Sequence, residues 1–193
     1  MSKLFLTEKQ IGELLSLANN SRRDFALLHL AASTALRGSD VLKIKREHVI
    51  DHDGLIVRVL RVKMKKTGEF ISRPLRDDCR AAIMAWLSSR TDRNPYLFCA
   101  QSNHSRGYSP MSRMSYHRIL KHYLEKMFPA SVIQGCSTHT LRRSLAKLVY
   151  KKAGRIEPAS MLLGHRNPAN TLVYIDALDL EATANGIVKT LQW

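Results

Sequence analysis

Apolar residues recur at helical spacing along most of this chain, and a strand-like pattern occurs in a single region. Thr7-Glu8-Lys9-Gln10 reads as a capping box, with Thr7 as N-cap and Gln10 at the third helical position. Ile11, Leu14, Leu15 and Leu17 then follow on one helix face. A second helix is expected over Arg22 to Leu36, with Phe25, Leu28, Ala32 and Ala35 on one side. Arg37-Gly38-Ser39 breaks it, and Ser39 or Asp40 can cap a short helix running through Lys43. From Gly54 to Val62 the chain alternates and is rich in Val, Ile and Leu, which predicts a strand. Lys65-Lys66-Thr67-Gly68 is a turn, and Phe70 to Leu75 a return strand, so Lys66 rides near a hairpin tip.

Beyond the hairpin the pattern is helical again. Asp77 to Ser89 carries Ala81, Ile83, Met84 and Leu87, and Gln101 to Met111 is a polar surface loop. Ser112 to Phe128 reads as a basic helix bearing Arg113, His117, Arg118, Lys121, His122 and Lys126. Thr138 or Thr140 starts a helix that stops at Gly154, and a short helix over Pro158 to Leu163 ends at Gly164. Asn167 caps a helix from Pro168 towards Ala177, with the proline at its first position. The tail from Leu178 to Trp193 is amphipathic. The fold class is therefore mainly α with a small antiparallel β-sheet (α+β).

Composition sharpens this picture through charge. Lys and Arg total 31 against 16 acidic residues, a net charge of +15. Such an excess predicts a polyanionic partner, because each neutralised phosphate releases counterion. No basic amphipathic anchor or apolar run of membrane-spanning length accompanies it. With 193 residues the chain can bury a sizeable core as one domain. Cys79, Cys99 and Cys136 are widely spaced and lack a CxxC pair, the usage of reduced thiols in a cytosolic compartment. No Asp/Glu cluster or His/Cys spacing suits a metal, and no nucleophile elbow suits a Ser-His-Asp hydrolase.

Six residues in four strings fit one chemistry. They are Arg37 in Ala35-Leu36-Arg37-Gly38-Ser39-Asp40, Lys66 in Lys66-Thr67-Gly68, and His139 and Arg142 in His139-Thr140-Leu141-Arg142-Arg143-Ser144. The last two are His165 in Leu163-Gly164-His165 and Tyr174, nine residues further on. Together they can hold a phosphodiester, attack it and protonate what leaves. Guanidinium groups suit the phosphate because their planar fork donates two hydrogen bonds and stays charged.

These strings resemble, in order, the boxes of the tyrosine recombinases, the phage integrases and their relatives, over about Leu6 to Ala177. The resemblance implies the fold of a tyrosine recombinase catalytic domain and cleavage of duplex DNA through a 3′-phosphotyrosyl intermediate. It implies Arg37 and Arg142 as the phosphate clamp, Tyr174 as nucleophile, and His139 as its proton acceptor. His165 would donate to the phosphate and Lys66 would be the general acid, with Lys63 and Lys65 as close alternatives. Lys63, Lys65, Arg113, Arg118, Lys121 and Arg143 are candidate DNA-backbone contacts, and Arg143 stands where many relatives carry histidine.

No cofactor or metal is implied. The expected organisation is a single domain over 1–193, with a core over 6–177 and a tail helix over 178–193 that packs on its own domain or on a neighbouring subunit. The boxes begin too early for the N-terminal DNA-binding domain of roughly a hundred residues that most members carry. The chain would then be a catalytic-domain-only enzyme, similar to the small recombinases that invert fimbrial promoters, or an excised fragment. Expected partners are double-stranded DNA, three further copies of the chain on paired sites, and accessory DNA-bending proteins, with a monomer in solution. A bacterial, phage or plasmid origin and a cytoplasmic, nucleoid-associated location would follow. Two other readings share the residues: a small type IB topoisomerase, and a recombinase-derived DNA-binding regulator without strand transfer.

Overall fold

The computed structural model describes residues 3–64, 68–100, 107–165 and 167–175. Lys65, Lys66, Thr67, residues 101–106 and the tail from 176 onward lie outside the described residues. Helix α1 (Glu8–Ala18) starts where its capping box predicts, with Thr7 Oγ1 accepting from the Gln10 N–H at 3.2 Å and Gln10 Oε1 from the Thr7 N–H at 2.9 Å. Helix α2 (Arg22–Thr34) is capped by Ser21 and buries Leu27, Leu28, Leu30 and Ala31, so it is apolar on several sides and central to the core. It ends two residues before the expected Leu36, because Ala35 turns into the left-handed region at φ 51°.

Helix α3 (Gly38–Leu42) corrects one expectation. Its N-cap is Arg37, with no side-chain cap hydrogen bond, and not Ser39 or Asp40. Both of those lie inside the first turn, and Asp40 is buried. The single turn α4 (Arg46–Val49) has too few residues to show a period and was not anticipated.

Strand β1 (Val59–Lys63) pairs antiparallel with β2 (Phe70–Pro74), Lys63 opposite Phe70 and Val59 opposite Pro74. The expected strand from Gly54 starts five residues later, because Ile56 is spent on an isolated bridge to Ile50 and Leu55 faces solvent. Leu60 and Val62 point inward.

Helix α5 (Asp77–Ser88) packs on α2 through Cys79, Ala82 and Ile83. Beyond it, the buried Arg90 guanidinium gathers the Asp92 carboxylate and the carbonyls of Asn94, Tyr96 and Leu97. Helix α6 (Arg113–Leu124), capped by Ser112, stops short of the expected Phe128, and a separate turn α7 (Ala130–Ile133) follows. Helix α8 covers Thr140–Ala153 and α9 Glu157–Leu163, with Gly164 closing α9 at φ 63°. In α10 (Pro168–Ile175) the Asn167 Oδ1 accepts from the Ala169 N–H at 2.9 Å, the expected cap. The described residues are thus mainly helical with a small antiparallel sheet. None of the described helices is long and apolar enough to cross a membrane.

Two compact units divide the chain, Met1–Leu145 and Ala146–Trp193, the boundary falling within α8. The first holds the large core around Leu14, Leu27, Phe98, Tyr116 and Leu120. The second has a small core of Ala146, Leu163 and Ile175, with Tyr150, Ile156 and Tyr174 packed against it.

Within the first unit, α3 and the residues before α8 meet at Gly38. A Cβ there would stand 3.1 Å from Thr138 Cβ and 3.2 Å from Cε1 of the buried Tyr116. Gly38→Ala is therefore expected to cost about 1–3 kcal/mol through overpacking, seen as a lowered denaturant midpoint. An unchanged midpoint would show that the two segments are not in this contact.

A second prediction concerns α2 and α5. His29 is buried between them, with Nδ1 3.4 Å from Ser33 Oγ and Nε2 3.8 Å from Asp78 Oδ2. Burial lowers its pKa and Arg76 acts in the same sense, outweighing the pull of Asp78 upward. The folded state thus binds protons less readily than the unfolded chain. Stability from the neutral ring is complete above the ordinary histidine value of about 6.5 and is lost as pH falls below it. Urea titrations between pH 7.5 and 5 should show falling stability, with a shallower fall in His29→Gln. Equal slopes for both proteins would contradict the assignment.

Candidate active site

Arg37 leaves the end of α2 on extended backbone, half-buried, and its Nη1 donates to Met64 Sδ at 3.5 Å. That contact ties the residue after β1 to the arginine. Arg142, in the first turn of α8, is only 3% exposed, and its Nη1 donates to the Ala35 carbonyl. A guanidinium cannot shed its charge, so burial requires such acceptors. The left-handed Ala35 provides one, turning its carbonyl out of the helical ladder at a strain of roughly 1–2 kcal/mol for a non-glycine residue.

His139 sits just before α8 in a turn locked by hydroxyls. The Ser137 N–H donates to Thr140 Oγ1 at 3.0 Å, and the His139 N–H to Ser137 Oγ at 3.2 Å. Its imidazole is at the surface. Partial desolvation lowers its pKa, and Arg142, Arg143, Arg37 and Arg113 each lower it further. Four guanidinium groups therefore converge electrostatically on one imidazole, which stays neutral at pH 7 and able to accept a proton. The same charge would hold a phosphate.

The sequence did not reveal how these groups are held. Ser144 Oγ accepts from the buried Leu6 N–H at 2.8 Å and donates to the Thr140 carbonyl at 2.8 Å, strapping the segment before α1 onto α8. Arg143, expected as a DNA-backbone contact, is half-buried over the Phe5 ring at 5.9 Å and donates to Ser137 Oγ at 3.2 Å. Arg113 was expected on the DNA-facing side of α6, and its effect on His139 adds it to the arginine group. Arg118 and Lys121 are exposed on α6, Lys121 paired with Glu125 at 3.6 Å, and Lys63 is exposed on β1. Lys65 and Lys66 lie outside the described residues.

The second unit presents His165 and Tyr174 side by side. Their rings meet edge to face with centroids 5.6 Å apart. Gly164 reverses the chain after α9, so that the His165 N–H donates to the Ser160 carbonyl at 3.0 Å and Ser160 Oγ to the His165 carbonyl at 3.1 Å. His165 Nδ1 lies 2.9 Å from Thr171 Oγ1, one turn before Tyr174 on α10. Buried Thr171 and Ile175 hold α10 down, leaving Tyr174 partly exposed. Among the described residues no group of three or more His, Cys, Asp or Glu side chains is placed to hold a metal ion.

A model of the phage integrase family matches residues 4–181. The probable integrase/recombinase YoeC of Bacillus subtilis is 29% identical over 159 residues, covering 82% of this chain and 80% of that protein. The tyrosine recombinase XerA of Pyrococcus furiosus is 28% identical over 170 residues, 88% of this chain and 56% of the relative. The chain thus spans most of the first relative and little more than half of the second. A crystal structure of XerA recombinase superposes with a TM-score of 0.74 at 20% identity, covering 98% of this chain and 65% of that one. XerH recombinase bound to a palindromic difH substrate gives 0.70 at 18% identity, covering 93% and 51%. The match over nearly the whole chain, on a fold that these recombinase structures share, places this chain in the phage integrase family, the tyrosine recombinases.

Proposed function

We propose that this chain is the catalytic part of a site-specific recombinase that cleaves and rejoins duplex DNA through Tyr174. Arg37 and Arg142 bind the non-bridging oxygens of the scissile phosphate, where charge builds as phosphorus becomes pentavalent. A free phenol ionises only near pH 10, so the Tyr174 hydroxyl attacks phosphorus while His139 accepts its proton. A bond forms between the phenolic oxygen and phosphorus, the bond to the 5′ oxygen breaks, and Lys66 protonates the departing hydroxyl. The 3′-phosphotyrosyl bond conserves the phosphoester energy, so the reverse attack by a 5′-hydroxyl rejoins the strand without ATP. A Thr171 hydroxyl donating to His165 Nδ1 sets the tautomer with its proton on Nε2, the form that donates to a phosphate oxygen.

The observation that carries this reading is the corner at Ala35, whose carbonyl accepts from the buried Arg142 while Arg37 follows two residues on, with His139 just before the helix that holds Arg142. Supporting it are the net charge of +15 and the DNA present in the structure of XerH recombinase. Duplex DNA is the partner, at a cytoplasmic, nucleoid location. A monomer in solution assembles as a tetramer on two paired sites, with DNA-bending proteins as accessories.

The test is covalent capture. Wild type and Tyr174→Phe are incubated in EDTA with labelled duplex from the DNA flanking the gene, then run under denaturing conditions. A shifted band for wild type alone is expected, and Arg37→Gln should lower its rate of appearance by about 10²-fold or more. A band with both proteins would exclude Tyr174 as the nucleophile. No band with either, while native gels show retarded DNA, would make the chain a DNA-binding regulator. Relaxation of any supercoiled plasmid without paired sites would make it a type IB topoisomerase.

A further inference from the structure

The phosphate chemistry gives Arg37 and Arg142 a task and leaves Arg143 without one. Arg143 follows Arg142 on α8 but commits its guanidinium to a different set of partners. Its Nη2 donates to Ser137 Oγ at 3.2 Å and to the Gly135 carbonyl at 3.4 Å, and its Cζ lies over the Phe5 ring at 5.9 Å. Both acceptors are shared. Ser137 Oγ also accepts from the His139 N–H at 3.2 Å, and the Gly135 carbonyl from the Leu4 N–H at 3.4 Å. The His139 carbonyl in turn accepts from the Arg143 N–H at 2.8 Å. One half-buried residue therefore ties together the strap before α1, the turn before α8 and the backbone that carries the imidazole.

We propose that Arg143 is a positioning residue for His139: its guanidinium, stacked on Phe5, holds the Ser137 hydroxyl that in turn fixes the backbone of the proton acceptor. The proposal rests on the recombinase reading and deepens it, naming what holds the base of that reaction in place. It also replaces the DNA-backbone contact expected at this position. An arginine suits the place because a planar guanidinium can lie on a ring face and still donate at its edge. A lysine is shorter and has no plane to stack. His139 lies at the surface, where packing constrains a ring less than in the core, so the hydrogen bonds of its backbone bear on where it points. Misplacement matters, since a shift of about 1 Å in a reacting group can cost roughly 10²-fold in rate. Charge acts alongside geometry. Partial desolvation disfavours the protonated imidazole, and Arg142 on the same helix, Arg143 itself, Arg37 before α3 and Arg113 on α6 add to the effect.

Geometry and charge separate by substitution. Covalent capture on the labelled duplex is timed across a pH series for wild type, Arg143→Lys, Arg143→Gln, Ser137→Ala and the double variant of Arg143→Lys with Ser137→Ala. Arg143→Lys keeps the charge and loses the stacked fork, so the rate should fall about tenfold or more with the pH profile unmoved. Arg143→Gln should fall as far and also move the acidic limb to higher pH, because His139 then takes its proton more readily. Ser137→Ala should lower the rate alone but add little to Arg143→Lys, since both break one hydrogen bond. Thermal melting identifies a variant that fails to fold, and Ser137→Ala carries the test if an Arg143 variant does. A wild-type rate in Arg143→Lys or Ser137→Ala, or losses that simply add in the double variant, would overturn the inference and leave the recombinase reading standing. So would wild-type capture by Arg143→Gln with a salt slope of duplex binding reduced by about one, the behaviour of a phosphate contact. No covalent complex from wild type would instead remove the recombinase reading, and this inference with it.

Discussion

Arg142 is buried to 3% exposure, and a charge so placed must be met by the protein around it. The Ala35 carbonyl meets it, and it can do so because Ala35 has left the helical ladder for the left-handed region. The same bend ends α2 and delivers Arg37 two residues later, so one backbone reversal orients both arginines. Gly38 completes the joint by letting α3 approach Thr138 and Tyr116 more closely than a Cβ would ordinarily allow. Residues roughly a hundred positions apart in sequence thereby form one rigid corner.

Other segments feed into that corner. Met64 brings the end of β1 to Arg37, and the strap of Leu4 to Leu6 is pinned through Ser144 to the helix that carries Arg142 and Arg143. A disturbance at Leu4 to Leu6 or in the hairpin is therefore felt where phosphate would bind. The His165 and Tyr174 pair is organised separately, by the Gly164 reversal, the Thr171 hydroxyl and a small core of its own.

Much of this was legible in the sequence because it is local. Capping at Thr7 and Asn167, and termination at Gly164, depend on residues within four positions of one another, and all three appear as expected. The family boxes are likewise short strings. Where the sequence misled, a distant partner decided. Ser39 and Asp40 look like caps, yet packing at Gly38 accompanies an earlier start of α3, at Gly38 behind Arg37 as N-cap. Leu55 to Val57 look like strand, yet pairing with the 70–74 strand begins only at Val59. Arg143 looks like a free surface cation, yet Phe5 and Ser137 fasten it. Neither the Met64 contact nor the Ser144 strap leaves any trace in spacing, since each joins residues 27 and 138 positions apart.

The central claim is that guanidinium groups from separate segments concentrate positive charge at His139 before any DNA arrives. Proton NMR titration of the His139 ring in the wild-type chain and in Arg37→Gln tests it most directly. The account predicts a wild-type midpoint below the ordinary value of about 6.5, moving upward when Arg37 is neutralised and upward again when inorganic phosphate is added to wild type. An ordinary midpoint that neither the substitution nor phosphate displaces would contradict it.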